Sequence, residues 1–84
     1  MHFRYTKHAR GKFQKVKEAG YSINRKQVEQ TILLPKKSEG KPDGTIIAMD
    51  LLDEKHVLRV VYRYENDIII IITFYPGRRK AYEI

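Results

Sequence analysis

Cysteine is absent from the 84 residues. That excludes disulfides, thiolate metal sites and a thiol nucleophile, and it fits a reducing cytosol. Long apolar runs are also missing. The longest, Ile68 to Ile72, is far too short to span a bilayer. Met1-His2-Phe3-Arg4-Tyr5 lacks the apolar core of a secretory signal. The expectation is a cytoplasmic, unprocessed protein with no membrane partner. His2, His8 and His56 are scattered without metal-ligand spacing, so no metal and no cofactor is expected. There is no nucleophile elbow, no P-loop, no internal repeat and no low-complexity tail. A chain of this length is one domain, residues 1–84, and buries only roughly 60–65% of the surface its unfolded form exposes.

What is present is positive charge, unevenly spread. The net charge is +7. Residues 1–41 carry 11 Lys/Arg against 3 Asp/Glu, and residues 42–84 carry 6 against 7. A one-sided basic half sets up a directed positive field that draws polyanions, either nucleic acid or an acidic protein. A lysine-rich surface kept for solubility has the same composition.

Phe3-Arg4-Tyr5 alternates and reads as a short first strand. Thr6 is a good N-cap for a helix over 7–19, with Ala9, Phe13 and Val16 as its apolar stripe and Gly20 closing it. His8, Lys12 and Lys15 share one polar ridge; Arg10, Gln14 and Lys17 share another. Asn24 caps a second helix and pairs with Gln27 in a capping box, with Ile23 and Val28 as the staple. Val28, Ile32 and Leu33 are expected to face the core, and Pro35 stops the helix. Residues 36–44 form a polar loop with room for a short strand around 37–39. Strands follow over 45–50, 56–64 and 68–75, the last two joined by a turn at Glu65-Asn66-Asp67. Leu58, Val60, Tyr62 and Tyr64 fall on one face of their strand; Val57, Arg59, Val61 and Arg63 fall on the other. The 68–75 strand is apolar on both faces and belongs inside a sheet. Pro76-Gly77 is expected to end it, leaving a basic tail. The fold class is α+β: a short N-terminal strand, then two helices packed on one face of an antiparallel sheet, in the order β-α-α-β-β-β.

Three stretches carry a resemblance to a known superfamily. They are Thr6-Lys7-His8-Ala9; Gly20 through Pro35, with Ile23-Asn24, Val28 and Thr31-Ile32; and Leu58-Arg59-Val60-Val61-Tyr62 with Ile70 to Pro76 and Arg78-Arg79-Lys80-Ala81-Tyr82-Glu83. Together they resemble the RelE/ParE toxin superfamily, and most closely its small BrnT-like members and an uncharacterised family grouped with them. The resemblance implies a RelE-like fold and a metal-independent endoribonuclease, an mRNA-interferase toxin with a cognate antitoxin protein as partner. Other members of the superfamily act on gyrase. The first helix is longer than usual between His8 and Gly20. The arginine often found after the histidine-alanine pair has no single counterpart among Arg10, Lys12, Lys15 and Lys17.

Metal-free RNA cleavage needs a base for the 2′-hydroxyl, cations for the phosphorane and an acid for the leaving 5′-oxygen. His8 stands at a helix N-terminus, where the dipole favours the neutral imidazole that can accept a proton. Arg59 and Arg63 share a face and can each grip a phosphate through two N–H groups. Arg78, Arg79 and Tyr82 follow the central strand and can return over that face; a tyrosine beside arginines can stack a base or donate a proton. The expected catalytic group is therefore His8, Arg63, Arg78 and Tyr82, with Arg10, Lys12, Lys15, Arg59, Arg79 and Lys80 binding RNA, free or on the ribosome. Other readings stay open. His8 can be an ordinary exposed residue of a basic helix, Arg59 and Arg63 can pair with Asp50, Glu65 or Asp67, and Arg78–Lys80 can be a solvated charge run. A non-catalytic RNA- or ribosome-binding module and a regulatory domain covered by an acidic protein fit the same composition.

Overall fold

A computed structural model describes residues 2–84 of the chain. The elements are β1 (His2–Tyr5), α1 (Lys7–Glu18), α2 (Arg25–Leu33), β2 (Lys37–Gly40), β3 (Ile46–Leu51), β4 (His56–Glu65), β5 (Ile68–Arg78) and a 3-10 turn over Arg79–Ala81. The five strands form one mixed sheet in the order β1-β5-β4-β3-β2. β2 through β5 are antiparallel meanders, and β1 adds to the outer side of β5 in parallel. Both helices cover one face, α1 over β5 and α2 over β4 and β3. The expected α+β architecture, with the isoleucine-rich strand inside the sheet, is the one observed.

The helices start where their caps dictate. Thr6 Oγ1 accepts from the Ala9 N–H at 3.1 Å. Asn24 Oδ1 accepts from the Gln27 N–H at 2.9 Å, while Gln27 Oε1 accepts from the Asn24 N–H at 2.9 Å. Because α2 has only nine residues, it depends on this reciprocal cap. Asn24→Ala is expected to cost about 1 kcal/mol, read as a melting temperature lower by roughly 4–8 °C in a domain of this size.

Between the helices and the sheet lies a core built from Ala9, Val16, Val28, Ile32, Leu58, Val60, Tyr62, Ile69, Ile71 and Phe74. Phe13 packs against Phe74 with ring centroids 4.6 Å apart. Leu33 departs from expectation: it is half exposed, and Thr31 is buried in its place. Thr31 tolerates burial because its hydroxyl donates to the Gln27 carbonyl at 2.8 Å. No buried side-chain nitrogen or oxygen lacks a partner among the described residues.

Two features of β5 depart from simple alternation. Val61 pairs with Thr73 but Tyr62 pairs with Ile71, so Ile72 is an extra residue in a β-bulge. The bulge turns Ile69, Ile71 and Phe74 all toward the helices. Pro76 does not end the strand either, which continues to Arg78. β1 reaches only to Ile71, so beyond it β5 has one unpaired side, where a proline without an N–H is tolerated. No helix among the described residues is long and apolar enough to cross a membrane.

Candidate nucleic-acid interface

Pairing register decides which side chains share the helix-free face. On β4 these are Val57, Arg59, Val61 and Arg63. Their partners on β5 are Gly77, Tyr75, Thr73 and Ile70, and on β3 Arg59 faces Met49. The chain returns over this face after the 3-10 turn and lays Tyr82 against Gly77. A side chain at Gly77 would meet the Tyr82 ring at 2.7 Å, so glycine leaves the room that the ring fills.

Arg59 is the hub. Its Nε donates to the Tyr75 hydroxyl at 3.0 Å, and its guanidinium lies 4.2 Å from the centroid of the Tyr82 ring. Nη1 lies 3.7 Å from Met49 Sδ. No carboxylate pairs with Arg59 among the described residues. Two tyrosines thus fix the arginine while its remaining N–H groups have no oxygen acceptor among the described residues. Beside it, a cleft of about 270 Å³ opens between Tyr82, Met49 and Glu39.

The N-terminus of α1 brings His8 to the same face. Thr6 Oγ1 donates to the Ile72 carbonyl at 2.9 Å, and the Thr6 N–H donates to the Ile71 carbonyl at 3.0 Å. Thr6 therefore grips the bulge while capping the helix. Two residues on, His8 Nε2 lies 3.0 Å from Thr73 Oγ1. Thr73 faces away from the helices with Val61, so His8 reaches round the unpaired side of β5 to the helix-free face. Arg59 and Arg63 flank Val61 on β4, each about 7–8 Å from Thr73 along the diagonals of the sheet. Arg63 Nη2 lies 3.3 Å from Glu65 Oε2 in an exposed pair, which is worth at most about 1 kcal/mol and yields readily to a phosphate.

The remaining expected site residues divide. Lys12 and Lys15 lie on the His8 ridge of α1. Arg10 lies on the opposite flank of the helix and lines a separate cleft with Arg4, Tyr5, Arg25 and Glu29 at the outer edge of β1. There Tyr5 donates to Glu29 at 2.6 Å beneath the Arg25 guanidinium; burial, then Glu29, pushes the Tyr5 phenol far above its usual range. Arg78 is not brought to His8, Arg63 and Tyr82. It pairs with His56 on the helix side of the sheet, roughly 16 Å along β5 from Thr73. Arg79 is tied down, its Nε donating to the Ile84 carbonyl and its N–H to the Lys55 carbonyl. Lys80 is exposed.

Four residues escaped the sequence-based expectation. Tyr75 and Thr73 join the face only once the bulge is known. Asp53 and His56 form a pair, with Nδ1 2.9 Å from Oδ1. Asp53 also accepts from the Lys55 and His56 N–H groups at 2.8 Å. These bonds, that of Lys55 first, hold its carboxyl below the usual range. The Asp-x-x-His spacing at a turn was the available signal. No group of three or more His, Asp or Glu side chains that could hold a metal is found among the described residues. No family model, no curated protein and no solved structure matches the chain.

Proposed function

We propose that the chain is a metal-independent endoribonuclease that holds RNA on the helix-free face of its sheet. The observation that supports this reading is His8 bonded to Thr73 on the face that also carries Arg59 and Arg63. A phosphate resting over Val61 and Thr73 lies within reach of the imidazole and both guanidinium groups. His8 removes the proton from the 2′-hydroxyl, and the 2′-oxygen attacks the adjacent phosphorus. Arg59 and Arg63 stabilise the charge that accumulates on the non-bridging oxygens. The bond from phosphorus to the 5′-oxygen breaks, and the Tyr75 phenol, already bonded to Arg59, protonates the leaving oxygen. The products are a 2′,3′-cyclic phosphate and a 5′-hydroxyl end. Tyr82 offers a ring beside Arg59 for a base, and Lys12 and Lys15 extend the cationic track along α1. Charge of this kind also suits an acidic antitoxin, the partner implied by the resemblance to BrnT-like toxins.

The test is incubation of the purified chain with a defined RNA in EDTA, with the new ends mapped and binding followed across a salt series. Cleavage leaving cyclic phosphate ends, with affinity falling steeply as salt rises, is the expected result. Salt-sensitive binding without cleavage would select the non-catalytic RNA-binding module instead. Binding that is absent or flat in salt would exclude both.

A further inference from the structure

A cleft of about 800 Å³ lies away from the helix-free face, where the end of β5 meets the turn before β4. Tyr21, Lys55, His56, Arg78 and Lys80 line it, a size and a mixture of aromatic and polar groups suited to a small ligand. Most of its cations are not spent on the fold. Lys55, Arg78 and Lys80 have no carboxylate within ion-pair distance among the described residues, whereas Arg79 is held by backbone carbonyls. Glu54 and Glu83 also line the cleft, but they leave the free cations in excess. His56 is oriented: Asp53 engages Nδ1 at 2.9 Å, and the Tyr21 ring stands edge-on at 5.3 Å between centroids. Its Nε2 has no protein partner among the described residues.

An imidazole locked by a carboxylate through one nitrogen presents the other to a ligand in a defined direction. With three uncommitted cations against two carboxylates around it, the matching group is a compact anion, and the Tyr21 ring supplies a flat apolar wall beside it. We infer that this cleft binds the 5′-phosphomonoester of a nucleotide, with Arg78, Lys55 and Lys80 on the phosphate, His56 Nε2 bonded to it and Tyr21 against the nucleoside. The site does not rest on the ribonuclease reading. RNA cleaved as described above ends in a cyclic phosphate and a 5′-hydroxyl, neither of which is a phosphomonoester. The ligand is therefore either a free mononucleotide or an RNA end made by another reaction.

The experiment is titration of the isotopically labelled full chain with AMP, adenosine and inorganic phosphate, and with one short oligoribonucleotide in 5′-phosphorylated and 5′-hydroxyl forms. AMP is expected to shift the amides of Lys55, His56, Arg78 and Lys80, and to bind at least about tenfold more tightly than adenosine. Arg78→Gln and Lys80→Gln, both at exposed positions, are each expected to weaken AMP about tenfold; Lys26→Gln on α2 leaves it unchanged. A preference for the 5′-phosphorylated oligonucleotide over AMP identifies an RNA end as the ligand, and equal binding identifies the mononucleotide. Equal affinity for AMP and adenosine, shifts that avoid this cleft, or full affinity in both variants would overturn the assignment, whatever the outcome of the cleavage assay.

Discussion

Arg59→Gln is expected to slow RNA cleavage roughly 100- to 1000-fold, the usual cost of removing one preorganised donor from a charge-developing oxygen, about 2.7–4 kcal/mol. The reason lies in how the guanidinium is held. Tyr75 accepts from Nε, and the Tyr82 ring covers the guanidinium plane. The remaining donors are thus aimed before substrate arrives, and little ordering is left to do at the transition state. Arg63 is exposed and shares its charge with Glu65, so Arg63→Gln should cost less, on the order of 10-fold. His8→Ala should lower the rate by about 100-fold or more and remove the limb of the pH profile that reports the base. Lys26→Gln is the matched control, a cation removed from the same basic half but away from the site. Single-turnover rates on one RNA substrate measure all four. Equal rates in wild type and Arg59→Gln would remove this arginine from the chemistry.

Phe74→Ala is expected to destabilise the fold by about 3–5 kcal/mol. Phe74 is fully buried, the largest side chain that is, and its ring lies against Phe13 of α1. It is the first helix-side residue after the bulged Ile72, with Thr73 between them on the other face. A domain of this size has a total stability of only about 4–13 kcal/mol. Urea unfolding should therefore show the variant losing a large part of its midpoint concentration or arriving already unfolded. A loss below about 1 kcal/mol would mean that α1 is not seated on β5 through this ring.

The helices were legible because their ends are written locally: Thr6, Gly20, Asn24 with Gln27, and Pro35 each act on their own backbone neighbours. The position of β5 was legible too, since a strand apolar on both faces has to lie inside a sheet. The bulge was not. Five consecutive isoleucines offer no mark of which one is unpaired, and the choice is settled by Thr6 reaching the Ile72 carbonyl from another element. That single extra residue exchanges the faces of everything after it. With strict alternation Arg78 would fall on the side of Ile70 and Arg63; with the bulge it falls beside His56. The same exchange places Tyr75 on Arg59. His8, Arg59, Arg63 and Tyr82 were named from sequence and do share the helix-free side, because His8 follows the Thr6 cap and the arginines lie on the unbulged strand. The role of Arg79 depends on the chain reversing after β5, a tertiary event with no local signature.

The helix-free face is best tested by mapping amide shifts in the labelled chain with a 2′-O-methyl oligoribonucleotide bearing a 5′-hydroxyl. That ligand can be neither cleaved at its 2′-positions nor recognised through a terminal phosphomonoester. Shifts are expected at Arg59, Val61, Arg63, Thr73 and Tyr75, together with His8 and Lys12 at the margin. Shifts confined to the outer edge of β1 around Arg4, Arg10 and Arg25, with the β4–β5 face silent, would contradict it.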